Sequence, residues 1–263
     1  MRWPVLFLAF FLYACAGEPE ASVETPPAEP NALTTPTALI EAMRTRYDGK
    51  WYETLTFIQE TIQYRQDGSI DTTTWYEAYT APGKLRIDFA PIDQGNGLLF
   101  ADDVRYTLQG GTATEQRPQV HPLLLLGFDV YHLPAAESTR KLESLGFDLS
   151  KMYETMWQDR ATYVVGAESE AEKAPTFWID KEHLYFIRMI RYIGPDSSNV
   201  QEVQFNNYQR LGGGWIAPQV LFTFDGQPTM KETYSAMRTG VALDTTLFAP
   251  DRWHATHWYT PAP

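Results

Sequence analysis

Lys84-Leu85-Arg86-Ile87-Asp88-Phe89 alternates without exception: Leu85, Ile87 and Phe89 fall on one side of an extended chain, Lys84, Arg86 and Asp88 on the other. A period of two with that contrast predicts a half-buried antiparallel strand, one face on the core and one toward water. The pattern recurs. Val104, Tyr106 and Leu108 alternate with Arg105 and Thr107; Val203 and Phe205 alternate with Glu202, Gln204 and Asn206; Val220, Phe222 and Phe224 alternate with Gln219, Leu221 and Thr223. Further strand-like runs cover 54–65, 72–80, 97–101, 152–158, 161–166, 175–181, 184–193 and 229–237. Asp67-Gly68, Pro82-Gly83, Gly95-Asn96-Gly97, Gly110-Gly111, Gly194-Pro195, Gly212-Gly213-Gly214 and Asp225-Gly226 separate them as turns. Successive strands with few helices between them predict a meandering antiparallel sheet.

Helical signals interrupt this pattern. Over 36–47, Leu39, Ile40, Met43 and Tyr47 recur at helical spacing, with Thr35 or Thr37 placed to cap the first turn. The run from His121 to Tyr131 holds four consecutive leucines, Leu123 to Leu126, and a polar helix is expected over 136–145. Leucines on every side of a helical turn must be buried from several directions. A helix plugging the open side of a curved sheet satisfies that, and so does an ordinary core helix. Aromatic side chains make up 14% of the residues. Trp75, Tyr76, Tyr79, Tyr185, Phe186 and Tyr192 suit either the lining of a cavity or a solid core.

Met1 and Arg2 precede an apolar run from Trp3 to Tyr13, followed by Ala14 and Cys15. A positive start, a short apolar stretch and a small residue are the layout of a secretory signal. The run is shorter than the ~20 apolar residues a bilayer-spanning helix needs. Leu12-Tyr13-Ala14-Cys15 resembles the bacterial lipobox. That resemblance implies a cleaved signal over 1–14 and a Cys15 carrying palmitate-type acyl chains, each buried methylene contributing ~0.8 kcal/mol to membrane anchoring. Ala16, in place of the aspartate that resembles an inner-membrane retention signal, points to the periplasmic side of the outer membrane. Residues 15–35, rich in Glu and Pro, read as a flexible tether. The expected domain spans 36–250, and a tail over 251–263 docks Trp253, Trp258 and Tyr259 on it. Cys15 is the one cysteine, so the fold has no disulfide to lean on. A formal net charge of −12 argues against nucleic acid and against electrostatic adhesion to anionic lipid.

Residue types that carry chemistry are sparse. Gly-x-Ser-x-Gly is missing from the sequence. His254 and His257 lie three apart without a cysteine or third histidine nearby, short of the three or four ligands that zinc requires. Asp102-Asp103 and the acids at 168, 170 and 172 fall in turns, where solvated carboxylates are the ordinary case. The expectation is a binding protein, not an enzyme, with no metal and no cofactor.

An order of short motifs then carries a family resemblance. The amphipathic helix leads to Thr56-Phe57-Ile58-Gln59-Glu60-Thr61; Ala81-Pro82-Gly83-Lys84-Leu85-Arg86-Ile87 follows, then Leu98-Leu99-Phe100, a hairpin at Asp102-Asp103 and the apolar helix near Pro122. Asp159 to Ala167, Phe177-Trp178-Ile179-Asp180 and Leu243 to Phe248 complete the series. In that order the chain resembles the outer-membrane lipoprotein-sorting (LolA/LolB-like) superfamily over most of 36–250. The resemblance implies a mainly β fold with helices: a curved antiparallel half-barrel of about eleven strands, whose helices lid an apolar concave face. It also implies binding of lipid or lipoprotein acyl chains. Ala81 stands where soluble carriers of the family keep an arginine, and the lipobox departs from them too; both count against a shuttling carrier. The alternative on the same fold is an envelope-stress sensor or protein-interaction module that engages an envelope protein and transports nothing. For a half-barrel, the alternating strands place Phe57, Leu85, Ile87, Phe89, Tyr106, Val203, Phe205 and Phe222 on the lining, with Leu123, Leu124, Leu125, Leu126 and Phe128 in the lid.

Overall fold

The computed structural model describes residues 33–259. The expected signal over 1–14, Cys15 and most of the tether lie outside the described residues, as do residues 260–263. Eleven-residue and thirteen-residue strands form the middle of one large antiparallel sheet, β1 (Thr54–Tyr64) and β15 (Gln227–Thr239). On one side of this pair follow β2 (Ile70–Thr80), β3 (Lys84–Phe89), β4 (Gly97–Ala101), β5 (Val104–Gln109) and β6 (Thr112–Pro118). On the other lie β14 (Gln219–Phe224), β11 (Asn199–Asn206), β10 (Phe186–Ile193), β9 (Thr176–Asp180), β8 (Arg160–Val165) and β7 (Met152–Trp157). These thirteen strands curve without closing. The short strands β12 (Gln209–Leu211) and β13 (Gly214–Ile216) make a separate hairpin turned at Gly212-Gly213.

More strands form than the alternation announces, for a physical reason. Every residue of β6 is exposed, so no buried face imprints a period of two on Thr112–Pro118; the strand exists because it pairs with β5 along its length. β12 and β13 span three residues each, too few to show a period.

Helix α1 (Pro36–Arg46) begins where Thr35 Oγ1 accepts the Ala38 amide at 3.2 Å, with Pro36 in the first turn. Leu39, Ile40 and Met43 are fully buried beneath it. The leucine run forms α2 (Pro122–Gly127), capped by His121 Nδ1 accepting from the Leu124 amide at 3.1 Å. A 3-10 turn over Asp129–Tyr131 leads to α3 (Ala135–Ser144). Among the described residues no helix is long and apolar enough to cross a membrane.

The covered part of the concave face is a core of two textures. Under α1 and the β12–β13 hairpin it is solid. Trp51 stacks on Tyr131 with ring centroids 3.6 Å apart, and Tyr185 stacks on Tyr208 at 3.8 Å. Phe186 meets Phe205 edge to face there. Under α2 the packing opens into a cavity.

The opposite, convex face departs from expectation. Arg86 and Asp88, predicted to face water, are buried at 0% and 3% exposure. The C-terminal segment covers them: 3-10 turns over Thr245–Phe248 and Pro250–Arg252 carry Leu247, Phe248 and Trp253 onto Ala78, Leu99 and Leu108. Arg86 donates two hydrogen bonds of 2.8 Å to Asp88 and others to the carbonyls of Leu247 and Trp253. Its guanidinium lies 3.8 Å from the Trp253 ring centroid. Gly97 makes room: a Cβ there would sit 2.6 Å from the Trp253 ring.

Candidate functional site

A cavity of about 220 Å³ lies between the curved sheet and α2. A dry apolar cavity of roughly 150 Å³ holds a benzene molecule, so this one admits a ligand, although it is smaller than the usual ~300–1,000 Å³ of drug-sized sites. Strand register explains its wall. Leu85 pairs with Tyr79 and Phe100, and Ile87 with Glu77 and Leu98, so β2, β3 and β4 present these side chains together. Phe57 and Gln59 continue the wall on β1, Met230, Glu232 and Tyr234 on β15, Phe222 on β14 and Phe205 on β11. His121, Leu123, Leu124 and Phe128 close it from the helical side. Phe222 and Met230 also border a shallow depression beside Gln63, Tyr64, Arg65, Gln201 and Thr229.

Of the residues expected to line it, Phe57, Leu85, Ile87, Leu123, Leu124, Phe128, Phe205 and Phe222 do. Tyr106 is a correction. It pairs with Leu99, and with Leu108 it belongs to the convex cluster under Trp253. The alternation in β5 is real, but its apolar face is the outer one, buried by the tail instead of the cavity. Phe89 shares the inner face and packs on Trp75 with ring centroids 4.8 Å apart, beyond the cavity wall. Val203, Leu125 and Leu126 are buried in the solid core next to it. The open choice for the aromatics resolves by position: Trp75 and Tyr79 line the cavity, Tyr185 and Phe186 fill the core, and Tyr76 faces outward against Tyr259 at 4.2 Å.

The wall also holds polar groups that the alternation argument overlooked. Glu77 and Glu232 are both lining residues, 4% and 8% exposed. Tyr234 Oη donates to Glu232 Oε2 at 2.9 Å, and Gln59 Nε2 donates to Thr61 Oγ1 at 2.8 Å. Among the described residues, no donor reaches the carboxyl of Glu77. Burial raises Glu77 well above the usual carboxylate range, and the neighbouring charge of Glu232 adds to the rise. Burial pushes Glu232 up to about 7, against the pull of hydrogen bonds from Tyr234 and Gln59. His121 is pushed down to about 4 by burial and is therefore neutral. The sequence did carry a signal for both acids. Trp75-x-Glu77-x-Tyr79 and Met230-x-Glu232-x-Tyr234 each place a glutamate in phase with large apolar or aromatic side chains, where a solvated acid would be out of phase.

The helical cover is tied to the sheet. Asp129 accepts from Tyr79 Oη at 2.9 Å and from the Gly83 amide at 2.8 Å, and burial pushes its carboxyl up to about 6. Tyr131 Oη donates to the Leu184 carbonyl at 3.3 Å. Of the two C-terminal histidines, His254 Nε2 lies 3.0 Å from the Gly110 carbonyl and His257 Nδ1 lies 4.0 Å from Asp88. Each serves the docking of the tail.

No family model and no curated sequence matches the chain. Solved structures do. The fold is similar to a DUF1329 family protein from Desulfovibrio piger ATCC 29098, at 17% identity and a TM-score of 0.54, over 81% of this chain and 95% of that one. It is similar to a LolA superfamily protein from Nitrosomonas europaea, at 9% identity and a TM-score of 0.53, over 80% of this chain and 97% of the other. A putative outer membrane lipoprotein-sorting protein domain from Vibrio parahaemolyticus aligns at 14% identity and a TM-score of 0.49, over 81% and 96% of the two chains. At these identities the likeness is one of fold.

Proposed function

We propose that this chain is an envelope lipid-binding protein that holds a single hydrocarbon tail or a comparable apolar group under α2 and performs no chemistry on it. The carrying observation is the cavity of about 220 Å³, walled mainly by aromatic and aliphatic side chains. Burial of apolar surface at ~25 cal/mol per Å² supplies the affinity with little directed bonding. The volume suits one tail, not a bundle of acyl chains. Entry runs between Phe222 and Met230, which border both the cavity and the outer depression. Acylation of Cys15 after removal of 1–14 would hold the protein on the periplasmic face of the outer membrane, and the tether would set its reach.

A neutral fluorescent dye, N-phenyl-1-naphthylamine, tests the reading. The dye should brighten on binding and be displaced stoichiometrically by decanol, and Phe222→Asp should weaken both. A wild-type protein that neither brightens the dye nor releases lipid on organic extraction overturns the proposal.

A further inference from the structure

Within that cavity the polar groups are of one kind. Among the described residues, its ionisable lining residues are Glu77, Glu232, His121, Tyr79 and Tyr234, and no lysine or arginine is part of the wall. His121 is held neutral by burial, and burial raises both phenols. Negative charge in the cavity therefore comes only from the two glutamates, without a positive group in the wall to match it. Glu232 has the Tyr234 hydroxyl as donor. Glu77 has none among the described residues, yet it is 96% buried and its side chain forms part of the wall. It stands between Trp75 and Tyr79 on β2 and opposite Phe57 on β1, so aromatic faces flank the carboxyl.

Acids seated in an apolar wall without a partner are costly to folding unless a proton or a ligand completes them. A hydrocarbon tail alone completes nothing. A carboxylate-headed ligand, such as a free fatty acid, would add a third acceptor to the same place. A head that donates hydrogen bonds and carries positive charge meets both the unmatched glutamates and the aromatic faces around them.

Resting on the lipid-binding reading, we propose that the ligand is an amphiphile with an amine head: its ammonium is received by Glu77 and Glu232, and its tail runs along Phe57, Leu85 and Ile87. Gln59 and Tyr234 fix the carboxylate geometry, and selectivity between heads resides in the glutamate pair, not in the apolar wall.

The test compares decylamine, decanol and decanoate as displacers of N-phenyl-1-naphthylamine from the full chain at pH 8, below their aggregation concentrations. One charge-assisted hydrogen bond gained over a neutral one makes decylamine at least about tenfold tighter than decanol, with decanoate weakest. In the Glu77→Gln/Glu232→Gln protein the ratio of amine to decanol affinity, read within that protein, should fall to about twofold or less. These isosteric changes remove buried charge, and continued displacement of the dye by decanol certifies an intact cavity. If decanoate binds as well as decylamine, or the amine's advantage survives in the double variant, the amine assignment is overturned while the tail-binding reading stands. If the wild type takes up neither dye nor any of the three chains, both fall together.

Discussion

β3 divides the molecule into two regions that treat buried charge in opposite ways. On its outer side Arg86 and Asp88 are buried and are matched by each other, by two carbonyls and by the Trp253 ring. On the inner side, Ile87 pairs with Glu77, a carboxyl with a like-charged neighbour and no donor among the described residues. Complete matching makes the outer charges part of a solid layer. Incomplete matching on the inner side coincides with the hollow. Burial alone therefore does not distinguish structural from functional acids; the count of partners does.

The sharpest way to break this contrast is to unmatch the outer face. Arg86→Met leaves Asp88 buried without its cation and frees the carbonyls of Leu247 and Trp253. Removing one member of a buried pair costs about 3–5 kcal/mol, so the urea midpoint should fall steeply. Arg86→Met with Asp88→Leu should recover much of the loss. If the single variant loses under about 1 kcal/mol, the outer pair is not the fastening described here.

The inner face should betray itself through pH. Glu232, at about 7 in the folded protein against 4.5 ordinarily, and Asp129, at about 6 against 3.8, bind protons more readily folded than unfolded; Glu77 does so as well. A raised folded-state value means stability is fully present below the unfolded value and is lost as pH rises through the folded one. The ligand-free protein should therefore become more stable as pH falls from 8 to 5, with His121, which takes up its proton more readily unfolded than folded, offsetting part of the gain. Glu232 alone accounts for an effect on the order of 3 kcal/mol. A melting temperature that is flat or falls over that interval sinks the idea. Glu77→Gln/Glu232→Gln should be more stable than wild type at pH 8 by about 1–2 kcal/mol, the cost of a charge left partly unpaired, with a shallower pH slope.

The two regions also differ in how legible they were. The strand series, the turns, α1 with its Thr35 cap, and α3 could be read because each has a periodic buried face or a local signal. β6 has no buried face and left no trace. The inner lining was recovered wherever alternation sufficed, as at Leu85, Ile87, Phe205 and Phe222. Tyr106 failed because a period of two says which residues share a face, not which face is inside; only the docking of residues 245–253 settles that. The same blindness made Arg86 and Asp88 look like solvated charges. Glu77 and Glu232 escape a search for adjacent acids in turns because they come from two different strands: β1 lies between β2 and β15, pairing with both.

Smaller effects sharpen the comparison at its boundary. Tyr79→Phe removes one of the two donors to Asp129 and should cost about 1–3 kcal/mol above pH 7. The loss should shrink near pH 5, where Asp129 is protonated and the missing donor matters less. A loss independent of pH would mean that Tyr79 acts by packing alone.

The smallest expected effect tests the assignment of faces directly. Tyr106 and Leu98 lie on neighbouring strands, one residue out of phase: Tyr106 pairs with Leu99, whose neighbour Leu98 pairs with Ile87 in the cavity wall. Sheet geometry sends adjacent side chains to opposite faces. Tyr106→Phe should therefore leave the affinity for N-phenyl-1-naphthylamine within about twofold of wild type, a change under about 0.5 kcal/mol. Leu98→Ala enlarges the wall where the dye sits and should shift its affinity and emission maximum. A melting temperature for each variant separates folding from the comparison. Should Tyr106→Phe move the dye signal as much as Leu98→Ala, the inner and outer faces of β5 are wrongly assigned, and with them the claim that the tail, not a ligand, covers the outer one.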